Sequence, residues 1–319
     1  TENTTLPLSW NNVNYSETYE IQIDDLASFA SPNYSYADIS VLSYDVGPLE
    51  PGRWYWRVRA SNADEEPGAW SAARYFTVYR SFNSEFNTDR DGWVNRPGAA
   101  WTLSGGYLQT TGLSDWVTSS VSYDANFTDF TYQVRLKMTY SSTDDDNVHG
   151  LVIRGTPTFD VMNDWTNGYY FPLEQFYYYD EIEGWESWSC FTIFRITNGD
   201  WVNLNNLNGE DFWYCFTSDP TFNFAGWNTL KVEARGSKLK FYSNNYLLQT
   251  ISLTSPLSGQ LGVFTWRDGY ADTTLIDWAT VGKPPSTMAM AASAAEAKPD
   301  KIIPIDPDFM ERFKRAMSK

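Results

Sequence analysis

The sequence is poor in the residues that most enzymes use for acid–base or metal chemistry. Its 319 residues include one histidine, His149, and two cysteines, Cys190 and Cys215. Histidine is the usual proton carrier near neutral pH, and His and Cys are common ligands of transition metals. Neither cysteine lies beside the histidine in the sequence, so we expect no thiolate nucleophile. These scarcities favour binding over catalysis.

Positive charge is scarce as well. The chain carries 23 Lys and Arg against 40 Asp and Glu, a formal net charge of −17. Nucleic acids and anionic membranes bind basic surfaces, so we expect neither as a partner. No apolar run approaches the roughly 20 residues that a membrane-crossing helix needs, which predicts no membrane span. The sequence starts at Thr1 without an initiator methionine or a signal peptide, which we interpret as a mature exported chain, extracellular or at the cell surface.

Aromatic residues, in contrast, are abundant, and they follow the two-residue period of β-strands. There are 15 Trp, 21 Tyr and 19 Phe. Apolar and polar residues alternate over 19–24 and 130–138, which is typical of half-buried strands. Pairs such as Gly105-Gly106 and Asn198-Gly199 lie between these runs and predict hairpin turns. Helical periodicity is nearly absent before the final residues.

We therefore predict an all-β chain of two antiparallel β-sandwiches in tandem, followed by a C-terminal linker and a short helical tail. The predicted boundaries are 1–79, 80–282 and 283–319. Residues in phase with apolar neighbours on alternating strands should be core, where a change to Ala costs about 2–5 kcal/mol. These residues are Trp10, Trp54, Trp56, Val134, Leu136, Val232 and Val263.

The first 79 residues resemble a fibronectin type III domain. The motifs that carry the resemblance are LSW at 8–10, YEIQI at 19–23, LEPGRWYWRVRA at 49–60, and WS at 70–71 before YFTV at 75–78. The resemblance implies a small sandwich with a corner tyrosine bonded to the backbone, and Trp54 lies in phase with that tyrosine. The first strand of the family is short or missing here. The edge that this leaves could accept a strand from elsewhere.

Residues 81–282 resemble the concanavalin A-like, laminin-G-type jelly rolls of many secreted bacterial proteins. The motifs are FNSEF at 82–86 with DGW at 91–93, WTLSGGYL at 101–108, GLVIR at 150–154, NGYYF at 167–171, WNTLKVEA at 227–234, GQLGV at 259–263 and IDW at 276–278. Members of this family include glycan binders, adhesion modules and some glycosidases. The resemblance therefore implies a larger sandwich but no particular ligand.

An aromatic cluster within residues 159–191 is the first candidate binding site. Four consecutive aromatics at 176–179 cannot all face one side of a strand, so about half must point away from the core. One interpretation is a platform for sugar rings or for a protein partner. The other is a long excursion that packs on its own sandwich. The candidate residues are Trp165, Tyr169, Phe176, Tyr177, Tyr178, Tyr179 and Trp185.

The sequence Glu-Ile-Glu-Gly-Trp-Glu at 181–186 resembles the Glu-x-Asp-x-x-Glu strand of laminarinase-type glycosidases. That resemblance implies Glu181 and Glu186 as the carboxylate pair of a retaining hydrolase, which needs them roughly 5–5.5 Å apart. Glu183 replaces the central Asp, and Gly184 weakens the strand that should hold both groups. We therefore predict no catalytic residue, with a retaining glycosidase as an alternative.

Calcium is the one cofactor that the sequence suggests. Asp144, Asp145 and Asp146 form a cluster of hard oxygen donors that suits Ca²⁺. Glu85 and Asp277 lie near the two ends of the jelly roll and could meet in space as a second site. A solvated acidic loop without metal is the alternative.

Cys190 and Cys215 lie on strand-like runs that flank the turn at 197–200. They can form a disulfide if the two strands place them opposite each other. The alternative is a pair of small buried side chains in unbridged strands.

The C-terminal residues combine a Pro- and Ala-rich linker, a short apolar strand and a helix start at Asp306-Pro307. A helix of about a dozen residues is marginal alone in water and needs a surface to dock on. We predict that residues 283–319 leave their own sandwich and pack on another copy of the chain. The assembly residues are Ile302, Ile303, Ile305, Phe309, Phe313 and Met317.

The function that we predict is a non-catalytic extracellular structural or adhesive protein. It would be a self-assembling surface or filament subunit joined through its tail, with other copies of itself, cell-surface components or a glycan as partners. A free secreted carbohydrate-binding module is the first alternative, and the glycosidase is the second. A tail docked on its own chain and exposed aromatics in a groove would favour the first alternative.

Overall fold

The computed structural model describes residues 5–96, 99–111, 118–139, 147–158, 165–180, 184–207, 210–216, 221–223, 226–253, 258–267, 273–284 and 298–305. All regular secondary structure in these ranges is β-strand, so the all-β prediction is confirmed. The chain divides into two compact units, Thr1–Arg80 and Ser81–Lys319. Within the described ranges there is no helix long and apolar enough to span a membrane.

The described part of the first unit is a small antiparallel sandwich. Its strands are β1 Leu6–Ser9, β2 Thr18–Asp24, β3 Tyr34–Ile39, β4 Ser43–Val46, β5 Gly52–Ser61 and β6 Arg74–Val78. β1 pairs with β4 in a two-stranded sheet, and the others form a four-stranded sheet in the order β3-β2-β5-β6. Alternating residues of β2 and β5, including Ile21, Ile23, Trp54 and Trp56, form the core between the sheets.

Polar contacts of aromatic residues fix the loops of the first unit. The Trp54 indole N–H donates to the carbonyl of Glu50, four residues earlier, at 2.8 Å. On the outer face of β5, the guanidinium groups of Arg57 and Arg59 lie 4.5 and 4.4 Å from the centre of the Trp70 ring. Each contact is a cation–π interaction, so the loop that carries Trp70 is held against β5.

The strands of the second unit form two larger sheets. In chain order they are β7 Phe82–Ser84, β8 Trp93–Asn95, β9 Trp101–Ser104, β10 Tyr107–Thr111, β11 Ser119–Phe127, β12 Phe130–Thr139, β13 Asn147–Pro157, β14 Trp165–Asp180, β15 Gly184–Phe191, β16 Phe194–Thr197, β17 Asp200–Asn203, β18 Asn206–Leu207, β19 Glu210–Phe216, β20 Asn228–Arg235, β21 Lys238–Ser243, β22 Tyr246–Ser252, β23 Gly259–Arg267, β24 Thr273–Gly282 and β25 Lys301–Pro304. One sheet has the order β22-β21-β20-β12-β24-β10-β9, with β7 also on β24. The other has the order β18-β19-β15-β14-β13-β23-β11-β8, with β16, β17 and β25 attached.

The two sheets of the second unit enclose its main core. Val134 and Leu136 of β12, Val232 of β20 and Val263 of β23 are all fully buried in it. Six of the seven predicted core residues are therefore buried, since Trp54 and Trp56 are buried in the first unit. Trp10 is only half-buried.

A second apolar cluster covers the opposite face of the eleven-stranded sheet. Alternate residues of its strands point away from the main core, such as Val152 between Leu151 and Ile153. The β16–β17 hairpin extends the sheet through the pairing of β16 with β14, and it contributes Phe194 and Ile196 to this cluster. Both faces of this sheet are thus apolar and covered by the chain's own residues, as in a sheet buried on both sides.

Candidate functional site

The structure describes the side chains of two residues of the predicted aromatic platform, Trp165 and Tyr169, and both are buried. Trp165 is 4% exposed and lies in the second apolar cluster, while Tyr169 is 2% exposed and lies in the main core. Assigning these two residues to a binding surface is therefore wrong. Residues 168–174 of β14 are buried on both faces, so the described aromatics of this strand pack between layers of the same unit.

The remaining platform and glycosidase candidates are described only in part. The backbones of 176–179 pair with β15, and the side chains of Phe176, Tyr177, Tyr178, Tyr179 and Trp185 lie outside the described part of the structure. Glu181 also lies outside the described residues. Glu186 is described by its backbone, which pairs with Tyr178. The platform, the carboxylate pair and their roles remain predictions.

The two cysteines are joined. Cys190 of β15 lies directly opposite Cys215 of β19, and the structure contains a disulfide between them. Both residues are fully buried in the second apolar cluster. The disulfide therefore fastens an outer strand of the sheet to its neighbour.

The tail strand packs on its own chain, which contradicts the predicted departure of residues 283–319 in the part that is described. β25 pairs antiparallel with β19, and Ile303 lies opposite Trp213. Ile305 is 5% exposed in the second apolar cluster, while Ile302 is 45% exposed. The physical reason is that β19 presents a sheet edge that a short apolar strand of the same chain can cover. Phe309, Phe313 and Met317 lie outside the described residues.

One predicted pair does come together, in a cleft on the outer face of the eight-stranded sheet. Glu85 and Asp277 line this cleft, whose volume is about 490 Å³. The described residues contain no group of three or more His, Cys, Asp or Glu side chains placed to hold a metal. Asp144, Asp145 and Asp146 lie outside them. A calcium site at either place therefore stays a prediction. The full lining of the cleft is Asn83, Glu85, Asn87, Gln133, Asp277, Trp278 and Thr280.

A β-bulge in β24 builds this cleft. Arg135 of β12 lies opposite Trp278, but the next residue, Leu136, lies opposite Ile276, so Asp277 is the extra residue. Ile276 and Ala279 point into the core, which leaves Asp277 and Trp278 together on the outer face. Bulges commonly turn a side chain in this way. The outer face thus gains an aromatic ring beside a carboxylate.

The neighbouring side chains hold this arrangement in place. Asp277 forms an ion pair with Arg135, whose guanidinium also lies 4.9 Å from the centre of the Trp227 ring. The Trp227 ring in turn lies 5.4 Å from that of Tyr107. Asn87 donates to Glu85 at 3.3 Å. Rings and planar polar groups therefore form one continuous surface around the cleft.

The chemistry of the cleft suits a polar ligand that has one apolar face. Amide side chains offer both donors and acceptors, and the carboxylates of Glu85 and Asp277 accept. Trp278 adds an apolar surface with few torsions to restrict. Our sequence analysis identified Glu85 and Asp277 but missed Trp278. The sequence does contain a sign of the bulge. The apolar residues Ile276 and Ala279 are three positions apart, whereas residues on one face of a regular strand are two or four positions apart.

Comparisons with known proteins give only remote likenesses. No family model matches the chain, and no curated protein matches its sequence. Among solved structures, the carbohydrate-binding module CBM66 from Bacillus subtilis aligns with a TM-score of 0.41 at 20% identity, covering 58% of this chain and 92% of that chain. The Emp47p carbohydrate recognition domain aligns with a TM-score of 0.45 at 15% identity over 64% and 95%. The β-glucanase of Bacillus licheniformis aligns with a TM-score of 0.40 at 14% identity over 64% and 98%.

Proposed function

We propose that the protein is a non-catalytic, exported carbohydrate-binding protein, and that its second unit holds a glycan in the cleft around Trp278. The observation that carries this proposal is the bulge in β24, which turns Asp277 and Trp278 outward together beside Gln133 and Asn83. A pyranose ring presents an apolar C–H face for the indole and hydroxyl groups for the amides and carboxylates.

The described part of the tail favours this free binding protein over a filament subunit. β25 already pairs with β19, and Ile305 fills the apolar cluster of its own unit. Those residues are therefore not available to a second copy. An adhesive or assembling role would have to use surfaces other than these.

The first unit supports an extracellular setting. We propose that its described residues form a fibronectin type III-like sandwich. The pairing of β1 with β4 and the order β3-β2-β5-β6 support this, as does Trp54. Its indole N–H bonds to the Glu50 carbonyl, as the corner tyrosine of such domains bonds to backbone a few residues earlier.

A binding assay on the intact chain tests the proposed glycan site. Soluble neutral polysaccharides cast in a native gel should retard the wild-type protein, and Trp278→Ala should weaken the interaction about tenfold because the stacking surface is lost. Tyr246→Ala is the matched control, since Tyr246 lies on β22, several strands away in the same sheet. Equal retardation of the wild type and Trp278→Ala would reject this cleft.

The glycosidase alternative has a separate test. We expect no release of reducing sugar from a β-glucan by the intact protein. Release that is abolished by Glu186→Gln would instead establish the carboxylate pair as catalytic.

A further inference from the structure

A second and larger cleft opens in the first unit. Among the described residues of this unit, β1 and β4 form a two-stranded sheet and β3-β2-β5-β6 a four-stranded one. Trp56 is buried, but Val58 and Ala60 further along β5 are only partly covered. The uncovered region is a cleft of about 920 Å³ between the β1–β2 loop, β5 and the loop before β6. This volume is in the range of ligand sites in proteins, about 300–1,000 Å³.

One lip of this cleft is held rigidly by the buried tyrosine of β2. The Tyr19 hydroxyl donates to Asn12 Oδ1 at 2.9 Å, accepts from the Val13 N–H at 3.0 Å and lies 2.7 Å from Ser16 Oγ. Between these anchors Tyr15 adopts a φ of 65° and is 94% exposed. A bulky residue with a positive φ is strained, and the exposed Tyr15 ring gains no burial that would offset this strain. The folded loop therefore holds an aromatic ring in solvent at a cost in free energy.

The interior of the cleft is polar enough to require a polar ligand. The Trp10 indole N–H is inaccessible to solvent and has no hydrogen-bond acceptor among the described residues. A buried donor without an acceptor costs about 1–3 kcal/mol. The charged residues of the lining are Arg59, Arg74 and Glu66, and Arg59 is neutralised by an ion pair at 2.5 Å with Glu20, which lies outside the lining. The lining also contains the amide side chains of Asn11, Asn14 and Asn62, which suit an uncharged ligand with hydroxyl groups.

The backbone edges beside the cleft disfavour an added peptide strand. On β5, the carbonyls of Val58 and Ala60 already accept from the N–H groups of Ser71 and Gly68, both at 2.8 Å. Directly after β1, the backbone N–H of Trp10 donates to the Leu42 carbonyl. Backbone N–H and C=O groups of successive residues in a strand point to opposite sides, so those of Pro7 face away from β4. Proline has no N–H to give to another strand. The ligand must therefore be recognised by side chains.

We infer that the cleft of the first unit binds a neutral oligosaccharide segment of a polysaccharide, with the Tyr15 ring stacking on a sugar and the amide and hydroxyl side chains of the lining bonding to its hydroxyl groups. The rigid lip lowers the ordering cost of binding. This site stands on its own residues and is independent of the Trp278 cleft.

The test is run in the Trp278→Ala background, so that binding by the second unit is weakened. Native gels cast with a neutral β-glucan, galactomannan or arabinoxylan should still retard this variant. Adding Tyr15→Ala should weaken the remaining binding about tenfold because the stacking surface is lost. Adding Tyr75→Ala is the matched control, since Tyr75 is 64% exposed on β6 and lies outside the cleft.

Two outcomes would overturn the inference. The first is that no polysaccharide of the panel retards the Trp278→Ala variant. The second is that Tyr15→Ala and Tyr75→Ala have the same effect. Either result leaves the Trp278 site untouched, because that site is scored separately by comparing the wild type with Trp278→Ala alone. Retardation only by an anionic polysaccharide such as alginate would also contradict the neutral ligand proposed here.

Discussion

At the scale of single residues, Arg154 ties together turns that lie far apart in sequence. Its side chain is fully buried, and its guanidinium donates to the carbonyls of Thr128 and Gly236, the latter at 3.0 Å. Asp129 lies 3.8 Å away and accepts from the Gly236 N–H at 2.8 Å. Burial lowers the pKa of Arg154, and the nearby Asp129 carboxylate opposes that shift. The guanidinium therefore closes one end of the second unit.

Arg154→Met keeps most of the side-chain volume but removes every donor. We expect a loss of about 1–3 kcal/mol in the free energy of unfolding, because the buried guanidinium's hydrogen bonds to the carbonyls of Thr128 and Gly236 are lost. Urea unfolding followed by tryptophan fluorescence measures this. Lys238→Met, at an exposed position of β21, is the control and should change stability by less than about 0.5 kcal/mol. A similar loss in both variants would show that Arg154 is not a structural tie.

Tyr132 gives the second unit a dependence on alkaline pH. Its hydroxyl is buried in the main core and donates to the Gly262 carbonyl at 3.0 Å, and burial raises its pKa well above the usual value. The folded state keeps this tyrosine neutral while the unfolded chain ionises near pH 10. Its contribution to stability is therefore complete below about pH 10 and is lost above it, at about 1.4 kcal/mol per pH unit.

Comparing unfolding free energies at pH 9 and pH 11 tests this assignment. Tyr132→Phe should be less stable at pH 9, because the Gly262 carbonyl loses its donor, but should show a smaller drop between the two pH values. Tyr75→Phe, on the exposed face of β6, serves as the control and should keep the wild-type drop. An unchanged drop in Tyr132→Phe would exclude Tyr132 as its source.

The sequence predicted single buried residues well and single exposed ones poorly. Val134 and Val263 lie on strands with an unbroken two-residue period, which fixes their face. Trp165 and Tyr169 lie on a strand that is buried on both faces, where period carries no information about exposure. The outward turn of Trp278 depends on one extra residue in β24, whose effect follows only when the partner strand is known.

At the scale of elements, the described part of the tail is attached to its own unit by strand β25 and by Ile305, the residue that follows it. Ile305 is buried among the aromatics of the second apolar cluster, whereas Ile302 is 45% exposed. We expect Ile305→Ala to lower the free energy of unfolding by about 2–5 kcal/mol. Ile302→Ala is the matched control and should change it by about 0.5 kcal/mol or less.

The same pair of variants separates attachment within one chain from attachment to another. Docking within the chain makes the effect of Ile305→Ala independent of protein concentration. A loss of stability that grows on dilution, or an equal effect of both variants, would support attachment to a second copy. Unfolding curves at two concentrations a hundredfold apart distinguish these results.

Hairpins were predictable from local sequence, and the pairing of distant strands was not. The turn at Asn198-Gly199 joins β16 and β17 as its sequence indicates. The apolar run 302–305 was recognisable as a strand, but nothing local identified β19 as its partner. The choice depends on which sheet edge is open in the folded unit, and that is a property of the whole sheet.

At the scale of the whole molecule, the excess of acidic residues governs solubility. A formal net charge of −17 at neutral pH keeps copies of the chain apart, and this charge vanishes near the sequence pI of about 4.4. We expect a sharp rise in turbidity between pH 5 and pH 4.4 that reverses on return to pH 7. A solution that stays clear through pH 4.4 would show that charge repulsion is not what keeps the protein dispersed.

The pairing of β25 with β19 has a consequence for synthesis, because the two strands are made at different times. During synthesis β19 emerges long before β25, and strands β20 to β24 are made in between. Throughout that interval the edge of β19 has no neighbour on the side that β25 will cover, although its other side can already pair with β15. A nascent chain held short of residue 301 therefore offers an unpaired edge to other chains. Synthesis of β25 closes this edge and ends the interval in which the edge can pair with other chains.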